Sequence, residues 1–172
     1  MNRDDGVTKE MDTFIAPTDR ADLLRTAVTQ AVDFLREGEA VALPSETVYG
    51  LAADALNPAA VARIFEAKER PSFDPLIVHL PHRKRLADVA IVPPEIAETV
   101  AVLIEKFWPG PLTLVLPKAD AVPDSVTGGL PTVAVRMSSH PVFKAVVTSF
   151  GGPLAAPSAN RFGRISPTSA GA

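Results

Sequence analysis

Short apolar runs alternate with amphipathic segments along most of this chain, and this alternation is what most constrains its fold. The apolar runs, which predict strands, are residues 40–43, 76–80, 112–116, 132–137 and 154–156. The amphipathic segments, which predict helices, are residues 18–36, 57–68, 94–107 and 139–150. Because the two kinds of element alternate without internal repeats, the chain is predicted to form an α/β sheet flanked by helices. The pattern leaves open whether the strands are all parallel.

The length of the chain indicates a single domain. At 172 residues it is long enough for one well-buried domain and short for two. Residues 1–17 are polar and irregular and are predicted to form a flexible leader, so the domain is predicted to span residues 18–172. Residues 117–131 carry turn-forming residues without periodicity, which predicts a long surface loop.

The composition excludes several classes of site. The absence of cysteine excludes disulfides and thiolate metal sites. No apolar run approaches the ~18 residues that a membrane span needs, and the N-terminus has no apolar signal segment, so a cytoplasmic protein is predicted. The net charge of −3 implies no general attraction to nucleic acid, so any anion site must be local.

Acidic residues are absent from the last part of the chain. Residues 125–172 carry 4 Lys/Arg and no Asp/Glu, a net charge of +4, whereas residues 1–124 carry 13 and 20, a net charge of −7. The acid-free part contains a short polar loop with Ser158 and Asn160, directly after an apolar run. An anionic ligand is therefore predicted to bind near this loop.

A second polar loop carries Lys68 and Arg70, followed by Pro71 and Pro75, which stiffen it. Two cations, together with hydroxyl and amide groups, are suited to holding a polyphosphate. The structural alternative is that cations at the end of a helix only complement its dipole, by ~0.3–1 kcal/mol. The local pattern does not decide between the two.

Three further features have both a functional and a structural interpretation. Residues 44–51, with the sequence PSETVYGL, follow an apolar run and are either a ligand-binding loop or a turn whose hydroxyls bond the backbone. His79 ends an apolar run, where a lone histidine is usually structural. Arg136 ends an otherwise apolar run and is expected to be paired or ligand-bound, because burying a lone charge is costly. Ser158 is not set in a nucleophile-elbow motif, so it is a poor candidate nucleophile.

Taken together, these segments resemble the YrdC-like family over about residues 40–168. The resemblance depends on several blocks in order, namely LPSETVYGL at 43–51, KERP at 68–71, PLIVH at 75–79, WPGPLT at 108–113, TVAVR at 132–136, APSAN at 156–160 and SPT at 166–168. It implies a single-domain, twisted mixed sheet flanked by helices, with a concave and positively charged cleft.

The resemblance also implies an activity. Family members of this type are nucleotidyltransferases that use ATP, L-threonine and bicarbonate to make threonylcarbamoyl-adenylate and pyrophosphate, with Mg²⁺ held through the ATP phosphates and water. The product feeds the N6-threonylcarbamoyl modification of adenosine 37 in tRNA, through downstream transfer machinery.

By the same resemblance, Lys68 and Arg70 are the expected catalytic residues. The residues expected to face ATP are Lys68, Arg70, Asp74, Thr132, Asn160, Ser166 and Thr168. Those expected to face threonine and its carbamate are Thr47, His79, Arg136 and Ser158.

The chain departs from the family pattern at three places. Ser45 stands where threonine is usual, and Glu69 and Asp74 stand where glycine and asparagine are common. Family members also continue beyond the position of Ala172, so the C-terminal part of the family domain is expected to be missing. The alternatives are a truncated or degenerate nucleotide-binding homologue without turnover, an RNA-binding module, and a domain that uses carbamoyl phosphate.

Overall fold

The computed structural model describes residues 13–69, 74–161 and 163–171. Within these residues the α-helices are α1 (Ala21–Arg36), α2 (Pro58–Lys68), α3 (Ala97–Phe107), α4 (Asp124–Thr127) and α5 (Pro141–Phe150). The strands are β1 (Val41–Pro44), β2 (Tyr49–Asp54), β3 (Ile77–His79), β4 (Gly110–Pro117), β5 (Thr132–Met137) and β6 (Leu154–Ala155). Two short 3₁₀ helices cover Arg83–Asp88 and Pro94–Ile96.

The six strands form one mixed sheet in the order β1-β2-β6-β3-β5-β4. Strands β3 and β5 pair in parallel, and the other neighbouring pairs are antiparallel. The predicted α/β fold with a mixed sheet is therefore confirmed. Strand β6 is last in sequence but lies in the middle of the sheet, between β2 and β3.

Apolar side chains pack on both faces of the sheet. One cluster joins α2 to the sheet and includes Val61, Ile64 and Val78. The other joins α1 and α5 to β1, β2 and β6, and includes Leu35 and Phe143. Burial of these side chains, at roughly 25 cal/mol per Å² of apolar surface, is the main force that holds the layers together.

Part of the sheet face next to α5 is left uncovered. Val133 and Val135 of β5 belong to the α2 cluster, and successive residues of a strand point to opposite faces. Thr132, Ala134 and Arg136 therefore point to the face on which α5 packs. The α5 cluster takes its sheet residues from the β1, β2 and β6 side alone, among the residues that the structure describes.

The neighbouring strands extend this uncovered area. By register, β3 and β4 place their own residues beside Ala134 and Arg136 on the same face. We refer to the area as the open face, and define it by Ile77, His79, Thr113, Val115, Thr132, Ala134 and Arg136. Val115 is 65% exposed, whereas His79 and Arg136 are buried. The open face is the counterpart of the predicted cleft, whose concavity and positive charge stay predictions.

Local sequence accounts for the ends of α2. The side chain of Asn57 accepts hydrogen bonds from the backbone of Ala59 at 3.0 Å and Ala60 at 3.4 Å, and Pro58 occupies the first turn. The helix ends at Lys68, as predicted, three residues before Pro71 in the sequence. Glu69 then adopts a left-handed conformation with φ of 51°, which stops the helix two residues before the proline.

Three predictions about the elements were wrong. Strand β2 was predicted to be a loop, because its glycine and alanines hide the alternation of a half-buried strand. The predicted surface loop at 117–131 contains α4 and buried residues, including Val122 and Val126. The helix predicted at 18–36 begins at Ala21, with Arg20 as an N-cap whose side chain makes no capping hydrogen bond.

The Asn57 cap predicts a measurable loss of stability. Asn57→Ala removes the side-chain oxygen that accepts from both Ala59 and Ala60 at the start of α2, so the free energy of unfolding should fall by about 1 kcal/mol. Urea denaturation checks this, with Glu66→Ala on the exposed side of the same helix as the control. Equal stability of the two variants would contradict the role of the cap.

Candidate active site

The parallel pair of strands brings two predicted site residues together. His79 is the last residue of β3 and is the register partner of Arg136 near the end of β5. Both side chains lie on the open face, and both are buried. Ligands of α/β sheets commonly bind at the carboxyl ends of parallel strands, where side chains from separate segments meet.

A carboxylate from the loop between β1 and β2 reaches Arg136. Glu46 Oε2 accepts hydrogen bonds from Arg136 Nη2 at 3.0 Å and from Ser138 Oγ at 2.9 Å. Its other oxygen, Oε1, accepts from the backbone N–H of Ser139 and from Ser139 Oγ at 3.0 Å. The β1–β2 loop is thus tied to the segment between β5 and α5.

Glu46 is ionised over the whole neutral range. Burial raises the pKa of Glu46, but hydrogen bonds outweigh this effect and lower it from 4.5 to about 2. The donors are the backbone N–H groups of Ser139 and of Glu46 itself and the hydroxyls of Ser138 and Ser139. Each of them favours the charged form.

His79 is neutral in the same site. Burial lowers the pKa of His79 from 6.5 to about 3, and the charge of Arg136 lowers it too, while Glu46 acts in the opposite direction. Its ring contacts that of Phe143, with centroids 4.5 Å apart. The Nδ1 atom of His79 and the Nε atom of Arg136 are buried without a hydrogen-bond partner among the described residues. Two unpaired polar atoms at one end of the open face indicate a ligand site.

Lys68 is buried at the end of α2, with 2% of its surface exposed. Its Nζ donates to the backbone carbonyls of Ser158 and Asn160. The structure therefore brings Lys68 together with the predicted polar loop that carries Ser158 and Asn160, which we call the Ser-Asn loop. Lys68 acts as a clamp, because its ammonium bonds the backbone of this loop at two carbonyls. A direct contact of the ammonium with phosphate stays a prediction.

The loop that follows β6 is held by its own polar groups. Asn160 Nδ2 donates to the carbonyls of Arg161 and Arg164 at 2.8 Å, and its Oδ1 accepts from Ser166 Oγ at 3.2 Å. Farther along, the carbonyl of Pro167 accepts from the N–H of Tyr49 at 2.9 Å. The loop is thereby fastened to β2.

The structure gives a packing reason for a glycine at position 50. A Cβ atom at Gly50 would lie 3.4 Å from the side chain of Ala156 and 3.4 Å from the carbonyl of Pro157. Gly50 also forms a bridge to Ser158. The glycine therefore allows close packing of β2 against the segment that carries the Ser-Asn loop.

The remaining predicted residues have varied positions and exposures. Thr132 begins β5, four residues before Arg136, so the two Cα atoms are about 13 Å apart on the same face. Thr47 is exposed, with its hydroxyl 3.2 Å from Ser45 Oγ. Asp74 is half-buried just before β3, and Thr168 is exposed. Arg70 lies outside the described residues.

Glu46 is the site residue that the sequence reasoning missed. It lies within the PSETVYGL segment, where only Thr47 was named as a ligand contact. A signal was available, because Arg136 was expected to be paired and Glu46 is an acidic residue in a candidate site loop. The pairing partner is 90 residues away in sequence, so spacing alone could not identify it.

The described part of the chain contains no group of three or more His, Asp or Glu side chains that could hold a metal ion. In the same residues, no helix combines the length and the apolar character that crossing a membrane requires.

The lowered pKa of Glu46 predicts acid-dependent stability. Because the folded pKa is below the unfolded one, the stabilisation is complete above pH 4.5 and is lost as the pH falls towards 2. The difference in unfolding free energy between the wild type and Glu46→Gln should therefore shrink by about 1–2 kcal/mol between pH 5 and pH 3. Urea denaturation at several pH values measures it. A difference that stays constant over this range would contradict the assignment.

Known proteins are similar to this chain in sequence. The Sua5/YciO/YrdC family model, described as telomere recombination, matches residues 33–172. A threonylcarbamoyl-AMP synthase of Pyrococcus abyssi is 54% identical over 140 residues, which are 81% of this chain and 40% of the relative. One of Bacillus subtilis is 50% identical over 158 residues, which are 91% of this chain and 45% of the relative.

A solved structure is similar as well. The crystal structure of P. abyssi Sua5 complexed with L-threonine is 53% identical and superposes with a TM-score of 0.79, over 84% of this chain and 42% of that one. The chain thus spans less than half the length of these relatives. The family match covers most of the chain and the fold agrees, so this chain belongs to the Sua5/YciO/YrdC family.

Proposed function

We propose that this chain is the catalytic domain of an L-threonylcarbamoyladenylate synthase, a nucleotidyltransferase that uses L-threonine, bicarbonate and ATP and releases pyrophosphate. The names of the relatives support this proposal, as does the L-threonine bound to the P. abyssi protein. The observation that carries it is the buried Arg136, whose Nε atom lacks a partner beside the unpaired Nδ1 of His79 among the described residues.

Arg136 is suited to the carboxylate of threonine. A guanidinium presents parallel N–H groups that match the two oxygens of a carboxylate, and the low exposure of Arg136 strengthens such a bond. The neutral His79 offers a donor or acceptor for a hydroxyl without adding charge. Thr47 and Ser158 supply further hydroxyls. These four side chains are the proposed threonine and carbamate site.

ATP is proposed to lie along the remaining part of the site. Thr132 is about 13 Å from Arg136 on the open face, a separation that suits an extended ligand composed of an amino acid joined to a nucleotide. The proposed phosphate contacts are Arg70, Asn160, Ser166 and Thr168, with Asp74 nearby. Lys68 holds the backbone of Ser158 and Asn160, so its charge supports the same loop.

The proposed reaction needs no covalent enzyme intermediate. The amine of threonine forms a new N–C bond with bicarbonate and gives a carbamate, with loss of water. An oxygen of this carbamate then forms a bond to the α-phosphorus of ATP while the bond from that phosphorus to the bridging oxygen breaks, and pyrophosphate leaves. Positioning of two anions and neutralisation of their charge are the main contributions of the protein.

Mg²⁺ is proposed to arrive with ATP, held by phosphate oxygens and water. It would neutralise charge on the phosphates. Glu46, the carboxylate beside Arg136, is not proposed as a metal ligand, because its oxygens already accept four hydrogen bonds. The adenylate product is proposed to pass to the machinery that transfers threonylcarbamoyl groups to adenosine 37 of tRNA.

The proposal predicts a defined requirement for substrates. Incubation of the full chain with ATP and Mg²⁺ should release pyrophosphate only when L-threonine and bicarbonate are both present, and mass spectrometry should detect threonylcarbamoyl-adenylate. Omission of each substrate in turn is the control. Release that does not depend on threonine would overturn the proposal, as would the absence of release when both substrates bind.

The proposed role of Arg136 predicts the effect of a conservative substitution. Arg136→Lys keeps the charge but loses the paired N–H groups, so the KM for L-threonine should rise by about tenfold or more while the KM for ATP changes little. Arg63→Lys is the matched control, because Arg63 pairs with Glu39 on the surface. An unchanged KM for threonine in Arg136→Lys would reject the assignment.

A further inference from the structure

Glu46 joins two segments that are far apart in sequence. It lies in the loop between β1 and β2, and its partners lie near the end of β5 and in the two residues that follow this strand. Both segments border the open face at the end where His79 and Arg136 meet. A change at Glu46 therefore acts directly on the proposed threonine site.

All acceptor positions of Glu46 are used within the protein. A carboxylate has about four lone-pair positions, and Glu46 accepts four hydrogen bonds, two on each oxygen. These donors also keep it ionised at neutral pH. Glu46 thus has no position left for accepting a proton from threonine, which excludes the role of a general base in this arrangement.

The bond to Glu46 determines the orientation of Arg136. Glu46 engages the Nη2 atom at 3.0 Å, while Nε has no partner among the described residues. Because a guanidinium is planar and rigid, holding one of its edges sets the direction of the N–H groups on the others. The backbone of Arg136 is fixed as well, because β5 pairs with β3 in a register that sets Arg136 beside His79. Both ends of the side chain are therefore held.

We propose that Glu46 is a positioning residue for substrate recognition, which orients Arg136 for the carboxylate of an amino-acid substrate. The inference rests on the proposed function, and it adds a residue that does not itself touch the substrate. Glu46 holds Arg136 from one side, and Ser138 and Ser139 hold Glu46 from the other. The site is thereby arranged before the amino acid binds.

Positioning and simple electrostatics predict opposite effects of Glu46→Gln. If only the charge mattered, removal of a negative group beside Arg136 would strengthen the binding of a carboxylate. If positioning matters, binding weakens, because the amide NH₂ of glutamine faces donors in place of an acceptor. Whichever way the amide turns, the two hydrogen bonds accepted by one of the two carboxylate oxygens are lost.

The test is the affinity of purified full-chain protein for L-threonine and, separately, for ATP, by isothermal titration calorimetry. Glu46→Gln is expected to weaken threonine binding by about tenfold or more and to change ATP binding less than about twofold. Glu46→Asp keeps the charge but is shorter by one CH₂ group, so it is expected to weaken threonine binding as well. Glu39→Gln, at the surface pair with Arg63, is the matched control and should bind both ligands normally.

A milder variant covers the case in which Glu46→Gln does not fold. Ser138→Ala removes one donor from Oε2 and should weaken threonine binding by about threefold, with ATP binding unchanged. A merely structural role of Glu46 would instead weaken the binding of both ligands alike.

The outcomes separate the inference from the function on which it rests. Unchanged or tighter threonine binding in Glu46→Gln overturns the inference, and so does wild-type affinity in Glu46→Asp or an equal loss of both ligands. Absence of threonine binding in the wild type overturns the proposed function, and the inference with it. Selective loss of threonine binding in the Glu46 variants supports the inference.

Discussion

The insertion of β6 into the middle of the sheet is the constraint on which the rest of this structure depends. This strand has two residues, both fully buried, and it pairs with β2 on one side and with β3 on the other. It thereby joins the β1–β2 hairpin to the β3–β5–β4 half of the sheet. The loop that follows β6 lies at the end of α2, where Lys68 Nζ donates to the carbonyls of Ser158 and Asn160.

Buried charge organises the site as much as apolar packing organises the core. Lys68, Arg136 and the half-buried Glu46 are charged groups to which water has little access; Lys68 bonds two carbonyls, and Arg136 pairs with Glu46. A charge in such a place is tolerated only when it is paired or hydrogen-bonded. The two loops around the open face are therefore held by bonds to charged groups, and this favours a site that is formed before its ligands bind.

Much of the fold could be predicted from sequence, because periodicity and capping are local properties. Thr132–Met137 was predicted with the observed bounds, and the helix predicted at 57–68 ends at Lys68 as observed, with Asn57 as its N-cap. Strand β2 was missed because its small residues carry little periodic signal. The short helix α4 was missed because its burial depends on contacts with distant elements. Lys68 was recognised as a site residue, but its role as a clamp on the Ser-Asn loop was not, since this needs the position of β6.

The sequence by itself determined that the chain forms an α/β sheet, that disulfides and thiolate metal sites are excluded, and that Arg136 is paired or ligand-bound. Its ordered motifs also indicated the family to which the chain belongs. Only the tertiary structure decided that the partner is Glu46, that His79 lies beside Arg136 and is neutral, and that the described residues leave part of the sheet face uncovered. The physical reason is that charge pairing and desolvation depend on distances between segments, whereas a sequence pattern reports only on neighbours along the chain.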